Sequence, residues 1–269
     1  MTAGVHDWDA ASYQRISVPH EQWAAAILER LPLRGDETVL DAGCGTGRVT
    51  RMLVERLPEG KVIAVDGSAA MLEKVREVLR PTDEALACDL TELMLSEPVD
   101  AVVSSAVFHW IPDHDLLFRR LRAALRKGGR LAAQCGGAGN IHEFRVLTAR
   151  IAAREPYANA FEGFVEPWFY AGPAETEERL RAVGFEQVRC WLQPRETVPP
   201  DAEAFMRTLI LKPQLEHLPE RLAERYLADV LEATGEPLRL RYVRLNIEAV
   251  AGQTARPSIP DRQCIESGR

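Results

Sequence analysis

The chain has 269 residues, of which 46% are hydrophobic and 27% charged, with 33 basic and 40 acidic side chains giving a net charge of −7. That balance excludes a mostly disordered or collagen-like chain, and the length suits one large domain or one domain with a smaller cap. The acidic excess removes the long-range pull toward phosphate backbones, and no apolar run approaches the roughly 20 residues of a membrane-spanning helix.

Elements read in chain order alternate between short β-branched runs and helical patterns. TVLDA at 38–42 predicts a strand, followed by a helix over 47–57. KVIAVD at 61–66 predicts a second strand and 68–79 a helix; 84–88 and 100–107 predict a third and a fourth strand. A helix capped by Asp113 is expected over 113–125, ending at Lys127-Gly128-Gly129, and a fifth strand over 130–135. Beyond Gly139, helices are expected at 141–154, 174–183, 201–211 and 219–233, with strands at 185–192 and 238–250. Strand–helix alternation with short connections implies an α/β fold: a doubly wound, mostly parallel sheet. The aromatic-rich stretch 156–173 reads as irregular.

The chemistry is concentrated in VLDAGCGTG at 39–47. A strand runs into three alternating glycines and then a helix, so a ligand can lie against the main chain and meet free N–H groups. The spacing is GxGxG, whereas the dinucleotide fingerprint is GxGxxG, and Arg48 stands where the third glycine of that fingerprint would be. Asp41 would repel a pyrophosphate but pair with an ammonium group. Asp66 closes the second strand about 20 residues later, where an acidic side chain takes ribose hydroxyls. Asp89 closes the third and could accept from an adenine amino group. The donor this implies is S-adenosylmethionine.

With VLDAGCGTG, the segments AVDGSAAML, ACDL and SSAVFHWIPDHDLLFRRLRAALRKGGRLAAQ make the chain resemble class I S-adenosylmethionine-dependent methyltransferases over 38–137. WDAASYQR, HWIPDHDLLF and LRLRYVRLNIEAV extend the resemblance to the trans-aconitate and juvenile hormone acid methyltransferases. That resemblance implies a seven-stranded Rossmann-like sheet with a helical cap. It also implies direct methyl transfer to a small-molecule carboxylate or hydroxyl oxygen, with a carbon or nitrogen acceptor, or binding without catalysis, as alternatives. By it, Asp41, Gly43, Cys44, Gly45 and Gly47 surround the methionyl end of the cofactor. Asp66, Gly67 and Met71 follow the ribose and adenosine, Asp89 and Leu90 the adenine edge, and Ser105 and Ala106 the amino acid portion. Phe108-His109-Trp110 departs from relatives that carry a glutamine before the tryptophan.

His109 is the candidate base or orienting group, since a hydroxyl or carbon acceptor needs a base and a carboxylate does not. Tyr13, Trp23, Trp110, Trp168 and Tyr170 are candidate substrate-binding residues, and Arg195, Arg207, Arg239, Arg241 and Arg244 include candidate clamps for an acid. His114 reads as solvated surface. Cys44, Cys88, Cys135, Cys190 and Cys264 read as free thiols, without a disulfide frame or a metal site. The expected layout is an N-terminal helical segment over 1–35 covering the cofactor, a cofactor-binding core over 36–140 and a cap over 141–236. A core helix and strand near 174–192 interrupt that cap; a late strand over 237–251 and a flexible tail over 252–269 follow. The start lacks the pattern of a signal peptide. A cytoplasmic enzyme, monomeric or homodimeric, with neither nucleic acid nor membrane as partner, is expected.

Overall fold

The computed structural model describes residues 18–253. Tyr13 and Cys264, and the expected tail after Gln253, lie outside the described residues. The elements in chain order are α1 (Val18–Glu29), β1 (Thr38–Ala42), α2 (Arg48–Arg56), β2 (Lys61–Asp66), α3 (Ala69–Val75), β3 (Glu84–Ala87), β4 (Val99–Ser105), a 3-10 turn (Phe108–Trp110), α4 (His114–Ala124) and β5 (Leu125–Gly136). Then come α5 (His142–Ala152), α6 (Pro173–Ala182), β6 (Phe185–Thr197), α7 (Ala202–Phe205), a π-helical turn (Met206–Ile210), α8 (Lys212–His217), α9 (Glu220–Thr234) and β7 (Leu240–Ala251).

The seven strands lie in the order β3-β2-β1-β4-β5-β7-β6. The first five are parallel, and β7 runs antiparallel to both β5 and β6. Central strands buried on both faces read as near-continuous apolar runs, and β1, β2 and β4 do so. Val39, Val62, Ala101, Val103 and Ala132 pack with Ile27, Leu28 and Leu53 of α1 and α2 on one face. Leu40, Ile63, Val102 and Leu131 pack with Leu117, Phe118, Leu121 and Leu180 of α4 and α6 on the other. This doubly wound arrangement is the one the alternation implies.

A separate apolar cluster gathers Phe144 and Ile151 of α5, Phe205 to Leu211, Tyr226, Leu227 and Val230 of α9, and Leu240 and Tyr242 at the start of β7. Trp23 of α1 also belongs to it. Among the described residues, no helix is long and apolar enough to cross a membrane.

Several boundaries depart from expectation. Lys127-Gly128-Gly129 does not separate helix from strand. It lies within β5, and the pairing with β4 jumps from Val99↔Leu125 to Ala101↔Arg130 to accommodate it. β6 continues through Pro194 to Thr197, because it pairs only with β7 at the edge of the sheet, where a missing N–H is tolerated. The helix expected over 201–211 divides into α7 and the π-helical turn, and α8 was not expected.

Candidate active site

The parallel strands deliver their carboxyl ends to one edge of the sheet, where open α/β sheets bind ligands. Because β7 is reversed, its first residues reach that same edge. A cavity of about 260 Å³ lies there. Its wall includes Gly43 and Gly45 after β1, Asp66 and Gly67 after β2, Met71, and Asp89 and Leu90 after β3. Ser105, Ala106, His109 and Trp110 after β4 continue it, followed by Trp168 and Tyr170.

The glycine turn is built by backbone geometry. Gly43 has φ 79°, and a Cβ there would stand 2.3 Å from Cγ2 of Val107. Gly45 has φ 53°, yet a Cβ there would meet nothing within 4 Å, so its missing side chain leaves open space at the cavity. The N–H of Gly45 donates to Oδ2 of Asp66 (2.8 Å), and the N–H of Ser68 donates to Oδ1 (2.9 Å). Two backbone donors therefore aim one carboxylate from the second strand over the turn that follows the first. Burial pushes the Asp66 carboxyl up, and these N–H groups hold it back. Asp89 is exposed, and its Oδ1 accepts from both the N–H and Oγ1 of Thr91 (2.8 Å each).

Three expected cofactor residues do not reach the wall. Gly47 caps α2 with φ 87°, and a Cβ there would press within 2.9 Å of Val75 and Val78. Its glycine is required by packing against α3. Cys44 is buried with Ala64, Leu72 and Val75, and burial pushes its thiol well up. Asp41 is 1% exposed, with Oδ2 accepting from Thr50 Oγ1 of α2 (2.7 Å) and Oδ1 buried without a hydrogen-bond partner. Desolvation, reinforced by the charge of Asp66, raises its carboxyl to about 7. Beneath the turn there is thus one unsatisfied acceptor, which an ammonium group would satisfy. Together with the opening at Gly45 and the aimed carboxylate of Asp66, it fits a nucleoside bearing an amino acid.

The far end of the cavity is aromatic. His109 stacks on Tyr170 with centroids 5.9 Å apart, and Trp110 meets Trp168 edge-on at 5.7 Å. Trp168 and Tyr170 are parallel at 6.2 Å. The N–H of Phe169 donates to the carbonyl of His109 (2.8 Å), which fastens the 167–170 segment to the 3-10 turn. The N–H of Gly136 donates to Nδ1 of His109 (3.3 Å), so the neutral ring carries its proton on Nε2. His114 is not solvated surface as expected: it is buried, its Nε2 lies 2.9 Å from the carbonyl of Phe108, and desolvation lowers its pKa.

Trp23 does not line the cavity. It packs behind the wall, 5.5 Å from the ring of Tyr242 and 4.6 Å from the guanidinium of Arg244. Of the five arginines considered as clamps, Arg244 alone lines the cavity, and it is 2% exposed. Arg195 is exposed, while Arg207, Arg239 and Arg241 are exposed and pair with Glu224, Glu196 and Glu143. Sequence reasoning also missed Asn140, Ile141, Leu209, Ile210 and Tyr242, which line the wall. No local motif marks them. Cys44, Cys135 and Cys190 are free thiols. Cys88, on the cavity wall, is disulfide-bonded rather than free.

A family model described as "Methyltransferase domain" matches residues 39–129. A trans-aconitate 2-methyltransferase of Azoarcus sp. is 35% identical over 228 residues, covering 82% of this chain and 87% of that protein. This chain is a class I S-adenosylmethionine-dependent methyltransferase of the trans-aconitate methyltransferase group. A second relative of that name, from Variovorax paradoxus, is 32% identical over 83% of this chain and 87% of its own length. Among solved structures, phosphoethanolamine N-methyltransferase 2 of Haemonchus contortus aligns with a TM-score of 0.60 at 18% identity, covering 91% of this chain and 57% of that one. The cyclopropane synthase of Mycobacterium tuberculosis aligns at 0.53 with 19% identity over 85% and 83%. These two share the fold. The methyltransferase acts on a small molecule, and its methyl donor is S-adenosylmethionine.

Proposed function

We propose that this methyltransferase esterifies a carboxylate oxygen of a small organic acid. The observation that carries this reading is that Arg244 and His109 both line the acceptor end of the cavity. Acidic wall residues, Asp66 and Asp89, stand at the other end. The curated relatives are named for an acid, trans-aconitate.

S-adenosylmethionine supplies a methyl group already activated by a sulfonium, so alignment accounts for most of the protein's contribution. On this reading Asp66 accepts from the ribose hydroxyls, with Gly67 and Met71 along the adenosine and Asp89 with Leu90 at the adenine edge. Gly43, Gly45, Ser105 and Ala106 bound the amino acid portion, and Oδ1 of Asp41 is the acceptor for its ammonium. Ala106 has φ 63°, a backbone conformation costly for a residue with a Cβ, held by its N–H donating to the carbonyl of Gln134 (2.7 Å).

A carboxylate is ionised at neutral pH, so no residue has to remove a proton. Its oxygen supplies the electron pair of the new C–O bond, and the pair of the broken C–S bond stays on sulfur. His109 orients the acceptor by donating from Nε2, while Trp110, Trp168 and Tyr170 exclude water from the line of transfer. The 141–236 region, apart from the core helix and strand near 174–192, caps this end. The enzyme is read as cytoplasmic and as a monomer or homodimer.

The test is a screen of small carboxylic acids with methyl-labelled S-adenosylmethionine. A labelled product that releases methanol in mild base is expected. A product stable to base would overturn the carboxylate assignment.

A further inference from the structure

One side of the cavity wall is apolar. Ile141, Leu209, Ile210 and Tyr242 line it, and all four belong to the second apolar cluster, separate from the core of the sheet. Two irregular pieces of backbone carry three of these side chains there. Ile141, the residue before α5, has φ 45°, a left-handed conformation that is unfavourable for a β-branched side chain. Its N–H donates to the carbonyl of Arg241 in β7 (3.1 Å), which holds it in place. Leu209 and Ile210 are consecutive residues of the π-helical turn, which closes with the N–H of Leu211 donating to the carbonyl of Met206 (2.8 Å). Short π-helical segments are rare and often stand at functional sites, and strained backbone persists where a site requires it. Here both features lead to the same wall.

The wall is also poor in positive charge. Among the described residues that line it, Arg244 is the only lysine or arginine, and Asp66 and Asp89 share the wall with it. Burying a carboxylate without a paired cation is strongly unfavourable, so this lining suits an acceptor with one carboxylate and disfavours further ones. A pocket that is mostly apolar with a few polar groups draws its affinity chiefly from the burial of hydrocarbon.

Resting on the carboxylate reading above, we propose that Ile141, Leu209 and Ile210 form a subsite for a hydrocarbon chain, so that the acceptor is an amphipathic monocarboxylic acid. Its carboxylate lies toward His109, and its chain runs along the aliphatic wall, with Trp110 and Trp168 completing the apolar lining. This sets the acceptor apart from the trans-aconitate for which the curated relatives are named, a compound with three carboxylates and no alkyl chain.

The experiment measures kcat/KM for the straight-chain acids from butyrate to octanoate, and for trans-aconitate, in the full-length enzyme and in L209A, L209M and I210N. In wild type kcat/KM is expected to rise with each methylene, by up to about fourfold where the methylene is fully buried. Octanoate should exceed trans-aconitate at least tenfold. The ratio of octanoate to butyrate is expected to fall at least tenfold in L209A and in I210N, and to recover in L209M. A merely structural role would lower activity toward all acids together and leave that ratio unchanged, because a misfolded fraction is inactive toward every acid. No rise with chain length, a preference for trans-aconitate over octanoate, or an unchanged ratio in either variant would overturn the proposal. Should no acid be methylated, the carboxylate reading falls separately. Calorimetric binding of the alcohols from 1-butanol to 1-octanol to the complex with S-adenosylhomocysteine then decides the subsite. Affinity that rises with length and loses that rise in L209A supports it; flat affinity, or a rise that survives in L209A, refutes it.

Discussion

Oδ2 of Asp66 takes the backbone N–H of Gly45 at 2.8 Å, so the carboxylate after one strand is locked to the turn after its neighbour. Removing the side chain loses that link, the second bond from Ser68, and the acceptor proposed for the ribose. The D66A variant is expected to bind S-adenosylmethionine at least a hundredfold more weakly by calorimetry, since hydrogen bonds to charged groups contribute about 1.5–3 kcal/mol each. Affinity within threefold of wild type would remove Asp66 from the donor site.

Asp41 predicts a pH dependence of stability. Its folded carboxyl titrates near 7, against 3.8 ordinarily. A raised folded pKa means the unfolded chain releases its proton first, so this group's contribution to stability is full below about pH 4. It declines as pH rises and is gone above about pH 7. Without donor, the melting temperature of D41N minus that of wild type should therefore grow between pH 5 and pH 7 and then level off. The corresponding free-energy change is about 3 kcal/mol at 1.36 kcal/mol per unit. Saturating S-adenosylmethionine should flatten the trend in wild type, because an ammonium neighbour returns the carboxyl toward its ordinary value. A difference independent of pH would contradict the burial argument.

The glycines of the turn should separate by phenotype. G43A forces a Cβ into Val107 in a left-handed conformation, and a loss of about 2–4 kcal/mol in chemical denaturation is expected. G45A meets no neighbour, so its cost is confined to the backbone, about 1–2 kcal/mol, while its methyl group projects into the open space. It should weaken donor binding more than its stability loss suggests. Identical profiles for the two variants would show that the opening at Gly45 has no role in binding.

The tautomer of His109 distinguishes a donor from a base in the pH profile. With a carboxylate acceptor, H109Q retains a donor and should keep kcat within about tenfold of wild type. The kcat–pH profiles of wild type and H109Q should have the same shape. H109F, which cannot donate, should lose more than H109Q. An inflection near neutrality that disappears in H109Q would assign His109 the role of base.

How much of this is legible in the chain depends on whether the signal is local. β1 and β2 match their expected bounds, because unbroken β-branched runs end in turn residues. Asp113 caps α4 as expected, accepting from the N–H of Leu116. Asp66, Gly45 and the aromatic residues 109, 110, 168 and 170 all reach the cavity, since their positions follow strand ends or dense aromatic composition. Asp41 lies beneath the turn and off the cavity wall; a residue's position along a strand does not say that Thr50, one turn into the next helix, draws its carboxylate there. Arg244 could not be chosen among five arginines by pattern alone. What singles it out is the pairing of β7 with β5, a contact between residues more than a hundred positions apart. Pro213 near the start of α8 interrupted the helical pattern that would have revealed that element.

The reversed direction of β7 joins two distant stretches of the chain at one ligand-facing edge. The stretch matched by the family model ends at residue 129, before any part of β7, whereas Arg244 and Tyr242 reach the same edge from the start of β7. A change late in the chain can therefore reshape one wall of the cavity without touching the strand ends that carry the glycine turn, Asp66 and Asp89.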